Sequence, residues 1–149
     1  LTLANKMMRK ILLFFSSVVI FSSCNVGKVV PVDYELAHNY FVINPRLPST
    51  LKITSQSEFD HYFGLAAVMG KNGEPTPIDF TRQFVITKVL PESNRAVGLT
   101  PVNLNRSDGQ LVLSYRVERG KQQQWVSQPF FIIIVDKKYQ KYNVTEKME

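Results

Sequence analysis

The fold is decided by residues 102–117, which read VNLNRSDGQLVLSYRV. Asp108-Gly109 is a strong signal for a two-residue hairpin turn, because both central positions of such a turn need a positive φ. A turn there pairs Leu104 with Leu113 and Val102 with Tyr115, so apolar side chains meet on one side of the pair. The stretch therefore predicts an antiparallel β-hairpin.

Other apolar segments of strand length lie on both sides of this hairpin. The predicted strands are Tyr40 to Ile43, Leu51 to Thr54, Gln83 to Leu90 and Phe130 to Val135. The last segment shows no alternation of apolar and polar residues, which is typical of a strand covered on both faces.

A single helix is predicted after Ser55, because Ser55-Gln56-Ser57-Glu58 has the form of a capping box. The residues that follow make one apolar stripe at helical spacing, while His61 falls on the opposite, solvent-facing side. The stripe consists of Phe59, Tyr62, Phe63, Ala66 and Ala67, and either Gly64 or Gly70 can end the helix. The expected fold is α+β: one mostly antiparallel sandwich or small barrel over residues 36–149, with the helix packed on it.

The N-terminal segment has the three parts of an export signal. Arg9-Lys10 precedes the apolar run Ile11 to Phe21, which as a helix rises about 1.5 Å per residue and spans roughly half of a bilayer core. Small residues, Ser22-Ser23, come next, so residues 1–23 are predicted to be a signal peptide that forms a signal helix. Met7 and Met8 are better candidates for the translation start than Leu1, which makes residues 1–6 a doubtful part of the protein.

Phe21-Ser22-Ser23-Cys24 resembles the lipobox of bacterial lipoproteins, whose cysteine is acylated and becomes the new N-terminus. The resemblance implies lipidation of Cys24, and residues 24–35 would then form a tether to the membrane; the alternative is a chance cysteine after an ordinary secretory signal. Asn25-Val26-Gly27-Lys28 lacks the acidic stretch of many surface-exposed Bacteroidetes lipoproteins. This favours the periplasmic side of the outer membrane over the cell surface.

The charge of the mature chain is modest. Lys6, Arg9 and Lys10 precede Cys24 and all 12 acidic residues follow it, so removing the signal lowers the net charge from +6 to +3. Basic residues are scattered, which argues against a nucleic-acid partner. The one cluster, Lys137-Lys138 with Lys141, is either a contact for anionic lipid or a solvated edge.

Several short pieces of the chain resemble the C-terminal domain family of PrcB, a lipoprotein subunit of a spirochaete protease complex. These pieces are Ile53-Thr54-Ser55 with Phe59, Ile78-Asp79-Phe80 with Phe84-Val85-Ile86, and Gln128-Pro129-Phe130 with Val135-Asp136-Lys137. The chain is also similar in style to many Bacteroidetes lipoproteins. The resemblance implies a non-catalytic accessory or binding domain, with an envelope protein or a protease as partner.

The residues suggest no catalytic, cofactor or metal site. Asp33, Glu35 and His38 have a spacing that a metal site can use, but a polar strand edge explains them as well. Asp79 is either one of a pair of catalytic carboxylates or a side chain that caps its own turn. Trp125 ends the polar segment that begins at Gly120 and is predicted to be a loop between two strands, and this residue is either a lid over the core or an exposed anchor for a partner.

Two functions remain open from the sequence. The first is a membrane-anchored, non-enzymatic binding subunit in which Trp125, Asp79 and Phe80 are candidate partner-binding residues. The second is a small hydrolase or carbohydrate-binding lipoprotein that uses the loop from Met69 to Phe80.

Overall fold

The computed structural model describes residues 27–149, so the predicted signal helix and Cys24 lie outside the described part. In chain order the elements are β1 Val30–Pro31, β2 Tyr34–Leu36, β3 Tyr40–Val42, β4 Thr50–Ile53, α1 Gln56–Tyr62, β5 Phe63–Leu65, β6 Gln83–Val89, β7 Ser93–Ser107, β8 Gln110–Ser127, β9 Phe130–Asp136, a 3-10 turn Lys137–Tyr139, and β10 Asn143–Met148.

The strands form two four-stranded sheets and one small pair. We call the first sheet, with the strand order β1-β7-β8-β10, the hairpin sheet, and the second, with the order β2-β9-β6-β4, the central sheet; β3 pairs with β5. Every pairing is antiparallel except that of β10 with β8. The prediction of a mostly antiparallel sandwich with one packed helix is confirmed.

Residues 83–136 form one long two-stranded ribbon that folds back on itself. Its base is the pair β6 and β9, and its tip is the pair β7 and β8. Asp108 and Gly109 have φ values of 49° and 74° at the tip, as the predicted hairpin turn requires. Folding the ribbon brings the β6 and β9 side chains Phe84 and Ile133 into one buried cluster with Leu113 of β8.

The register of the hairpin agrees with the prediction near the turn and differs further away. Leu104 pairs with Leu113 as predicted, but Tyr115 pairs with Pro101 and not with Val102. The pairing shifts by one residue between Pro101 and Asn103, which leaves Val102 as the extra residue of a β-bulge.

The central sheet is buried on both faces, which explains the unbroken apolar run in β9. Ile133 and Val135 point into the cluster shared with the hairpin sheet, whereas Ile132 and Ile134 point into a second cluster that contains Phe59 of α1. Both faces of β9 therefore carry apolar side chains, so polar residues do not alternate with apolar ones along this strand. The prediction that this strand is covered on both sides is confirmed.

The helix begins where the capping box predicts and ends early. The Ser55 hydroxyl accepts a hydrogen bond from the Glu58 amide at 3.3 Å, and the Glu58 carboxylate accepts from the Thr54 amide at 3.4 Å. Phe63 already belongs to β5, so the predicted continuation of the helical stripe through Ala66 and Ala67 is wrong. From Phe63 to Leu65 the backbone forms hydrogen bonds with β3 and not within the helix.

The folded domain begins earlier than residue 36. Val30–Pro31 pairs with β7, and Tyr34–Leu36 pairs with β9. Val32, between the two strands, is 4% exposed and belongs to the core. The second half of the predicted tether is therefore part of the sandwich, because its apolar residues fill the space between the sheets.

Candidate functional site

Part of the hairpin has no neighbouring strand on its outer edges. Within the described chain, β1 pairs with β7 only at Asn105 and Arg106, and β10 pairs with β8 only from Gln110 to Tyr115. Residues 93–103 of β7 and 116–127 of β8 therefore pair only with each other. We call these two segments the arm.

Trp125 lies in a bulge at the base of the arm. Ser93 pairs with Ser127 and Arg95 pairs with Gln122, so the single residue Asn94 faces the segment 123–126. The extra residues interrupt the regular pairing of β8, and the Trp125 side chain is 63% exposed. The prediction of a loop was wrong, because these residues continue the strand, and the exposure rules out a lid over the core.

A shallow groove of about 480 Å³ runs beside Trp125. Small residues such as Ala96 and Gly120 shape it: a Cβ on Gly120 would lie 3.2 Å from the Ala96 Cβ. The carboxamide oxygen of Gln123, which also lines the groove, is buried and accepts no hydrogen bond within the described residues. An unsatisfied buried acceptor raises the free energy of the folded protein, and a ligand that supplies a donor relieves this.

The arm carries a surplus of positive charge that the sequence pattern did not reveal. Its basic residues are Arg95, Arg116, Arg119 and Lys121, and all four are exposed. Glu118 is the only carboxylate within the arm, and none of the four cations forms a salt bridge within residues 27–149. Arg116, Arg119 and Lys121 are close together in sequence on β8, and the hairpin pairing adds Arg95 of β7, which lies opposite Gln122.

The loop from Met69 to Phe80 is fastened to the rest of the domain by hydrogen bonds. The Asn39 carboxamide donates to the carbonyls of Asn72 and Glu74 at 2.9 and 2.8 Å, and the Tyr40 hydroxyl donates to the Thr76 carbonyl at 2.6 Å. Together with residues before β3, the loop forms an open concave surface of about 820 Å³. This surface is the structural basis for the second function left open by the sequence.

Asp79 and Phe80 are both engaged in local structure. The Asp79 carboxylate accepts from the Thr81 amide at 3.0 Å and from the Thr81 hydroxyl at 2.6 Å, and Arg82 lies 3.4 Å away. The bonds from Thr81 lower the pKa of Asp79. The Phe80 ring is half-buried, 5.8 Å from the Phe59 ring. These contacts assign turn capping to Asp79 and packing to Phe80.

The three residues with metal-ligand spacing do not form a site together. Asp33, Glu35 and His38 are all exposed, and Glu35 and His38 line the concave surface of the loop whereas Asp33 does not. Across residues 27–149, no three His, Cys, Asp or Glu side chains come close enough to hold a metal ion.

The lysine cluster near the C-terminus is also engaged locally. Lys138 approaches Asp136 at 3.9 Å, and Lys141 lies over the Tyr142 ring at 5.3 Å. Lys137 donates to the Phe80 carbonyl at 3.4 Å. The cluster therefore helps to hold the 3-10 turn against the loop.

A buried lysine, Lys88, escaped the sequence analysis because it lies inside an apolar strand. Its side chain is 2% exposed, and its Nζ donates to Glu146 Oε2 at 2.8 Å and to Ser49 Oγ at 2.7 Å. The ammonium also lies 4.6 Å from the centre of the Tyr115 ring. Burial of a charge requires such partners, so Lys88 links the central sheet to the C-terminal strand β10.

The ionisation of Glu146 reflects the same contacts. Burial opposes the charged form, but hydrogen bonds from Lys88 and Thr50 and the attraction of the ammonium outweigh it. The pKa of Glu146 is therefore lowered from its ordinary value. Glu146 is ionised at neutral pH, and its contact with Lys88 holds β10 against β6 of the central sheet.

No protein-family model, curated protein or solved structure matches this chain. No helix within residues 27–149 has the length and apolar character needed to cross a bilayer.

Proposed function

We propose that the protein is a lipoprotein of a bacterial cell envelope, attached to a membrane through Cys24, whose folded domain binds an envelope protein as a non-catalytic accessory subunit. In the sharper form, suggested by the resemblance to the PrcB C-terminal domain family, the bound protein belongs to a secreted protease complex.

The exposed Trp125 on the arm is the observation that carries the binding role. Tryptophan contributes large binding energies at interfaces, because its ring buries much apolar area and its N–H still forms a hydrogen bond. Val126 beside it is 62% exposed as well. The solvent exposure of both side chains, next to a groove and within a basic arm, is what a free interface provides.

The lipid anchor is tested by replacing Cys24 with serine. Acylation needs the cysteine thiol, so C24S is expected to move the protein from the membrane fraction to the soluble fraction, as measured by cell fractionation. The variant Ser23→Ala keeps the Cys24 thiol and serves as the matched control. It is expected to stay in the membrane fraction. Membrane retention of C24S at the wild-type level would contradict the anchor.

The binding role is tested by placing a photo-crosslinking amino acid at position 125. We expect one discrete envelope protein to be crosslinked there, and we expect Trp125→Ala to weaken binding of that protein by about tenfold or more. Leu65 is 69% exposed on β5, which pairs with β3 and not with the arm, so it supplies the matched control for both experiments. Equal crosslinking from positions 65 and 125, or none from either, would contradict the proposal.

The concave surface of the Met69-to-Phe80 loop favours a second candidate, a carbohydrate-binding lipoprotein. Glu35, His38 and Thr76 supply polar groups at that surface. Asp79, the carboxylate that the hydrolase hypothesis needs, caps its own turn and does not line the surface. The loop therefore supports binding of a polar ligand better than hydrolysis.

A further inference from the structure

The free edge of β8 offers backbone hydrogen-bonding groups to a further strand. From Arg116 to Ser127 no described strand pairs with its outer side. Unpaired N–H and C=O groups along a strand edge are a template for an extended peptide. The outer edge of β7 is less suitable, because Pro101 has no N–H to donate.

The charges on this edge decide what can bind there. Arg116, Arg119 and Lys121 lie within one short stretch of β8, with Glu118 as the only acid. Two copies of the edge placed side by side would bring these cations together, and like charges directly opposite each other destabilise a strand pair. Charged residues on an edge commonly serve to prevent such self-pairing. An acidic segment has the opposite charge and is attracted to the same edge.

The end of the edge adds an apolar contact and a hydrogen-bond acceptor. Trp125 is exposed in the bulge that follows residues 116–122, so a strand added along those residues would end near it. The Gln123 oxygen without a donor lies in the groove next to it.

We propose that β8 accepts an extended, acidic peptide segment of the partner by strand addition along residues 116–122, with Trp125 packing against the end of that segment. This inference rests on the proposed binding function and names the chemistry of the partner. The backbone pairing provides much of the affinity, and the cations select acidic sequences.

A synthetic peptide tests the inference on the untruncated protein as purified. The probe is an octapeptide in which glutamate alternates with valine and threonine, and Trp125, the only tryptophan of the chain, reports binding through its fluorescence. We expect saturable binding, together with slower hydrogen exchange of the amides in residues 116–122. The same peptide with alternate backbone amides methylated, and its lysine counterpart, are expected to bind at least tenfold more weakly.

Matched charge reversals locate the contact. Arg119→Glu is expected to weaken binding of the acidic peptide by about tenfold, which corresponds to about 1.4 kcal/mol. Lys71→Glu makes the same change of net charge on the distant, exposed loop and is expected to stay within twofold of the wild type.

Four outcomes would overturn the inference: no binding of the acidic peptide, equal binding of the methylated peptide, equal effects of the two charge reversals, or binding to anionic phospholipid vesicles that matches binding of the peptide in its dependence on Arg119. The proposed function is tested separately from strand addition. If a partner is crosslinked at position 125 and Arg119→Glu does not weaken its binding, the accessory role stands and strand addition is excluded.

Discussion

Replacing Phe59 with alanine is expected to lower the free energy of unfolding by about 4 kcal/mol. Phe59 is 2% exposed and is the one buried residue of α1. Its ring lies 5.1 Å from the Tyr40 ring and 5.2 Å from the Phe63 ring, so alanine would leave a cavity among aromatic side chains. A seven-residue helix is too short to be stable by itself. The packing of Phe59 in one buried cluster with Ile132 and Ile134 of β9 holds it to the central sheet.

Urea denaturation followed by circular dichroism measures the effect. Phe59→Leu keeps part of the volume and is expected to cost about 1–2 kcal/mol, and Gln56→Ala on the exposed face of the same helix is expected to change stability by less than about 0.5 kcal/mol. A loss below about 1 kcal/mol for Phe59→Ala would mean that the helix does not depend on this packing.

The elements of this fold were predictable wherever one local pattern determined them. Asp108-Gly109 fixes the turn through its positive φ values, and Ser55 with Glu58 fixes the start of the helix. The run from Phe130 to Val135 indicates a strand covered on both faces. In each of these places, local preference and tertiary packing favour the same structure, so the sequence is sufficient.

The sequence predictions were wrong where residues distant in sequence determine the local structure. The helix ends before Ala66 because β5 pairs with β3, and no residue of the helix indicates that pairing. Val102 leaves the ladder at the β-bulge between Pro101 and Asn103. The residues from Val30 to Glu35 have the composition of a tether because this segment is short and interrupted by Pro31, yet it supplies edge strands to both sheets.

The features of the candidate site also depend on residues that are distant in sequence. Trp125 is notable in the sequence because it is the one tryptophan. Its exposure, however, depends on a bulge in which the single residue Asn94 of β7 faces residues 123–126 of β8. Three cations of the arm are close together in sequence, and the pairing of β7 with β8 adds Arg95 to them. Lys88 was missed since an isolated lysine in an apolar strand is read as pointing to solvent, whereas Glu146, far along the chain, stabilises it inside.

Replacing Glu146 with glutamine is expected to lower the free energy of unfolding by about 2 kcal/mol. Removing one member of a buried ion pair usually costs about 3–5 kcal/mol because the other charge stays buried without compensation. Here the Glu146 side chain is 38% exposed, so water weakens the pair and the loss is smaller. Thermal and urea denaturation at pH 7 measure it.

The pH dependence of stability follows from the lowered pKa of Glu146. The unfolded chain takes up this proton near the ordinary value of 4.5, and the folded protein takes it up only at a lower pH. Between these two values the unfolded state binds more protons, so the stability that the pair provides is complete above about 4.5 and is lost as the pH falls through the folded-state pKa. Asp79 also has a lowered pKa, so the relevant quantity is the difference between wild type and Glu146→Gln, which should shrink over that range.

The matched variant is Lys88→Met, which removes the charge from the buried side and keeps most of the volume. We expect it to cost about 1 kcal/mol, less than Glu146→Gln, because the carboxylate that remains is partly hydrated whereas a lysine that remains is not. The double variant should then be more stable than Glu146→Gln alone, since no charge is left buried without a partner. If the losses of the two single variants simply add in the double variant, the ion pair does not hold β10 in the way that its geometry indicates.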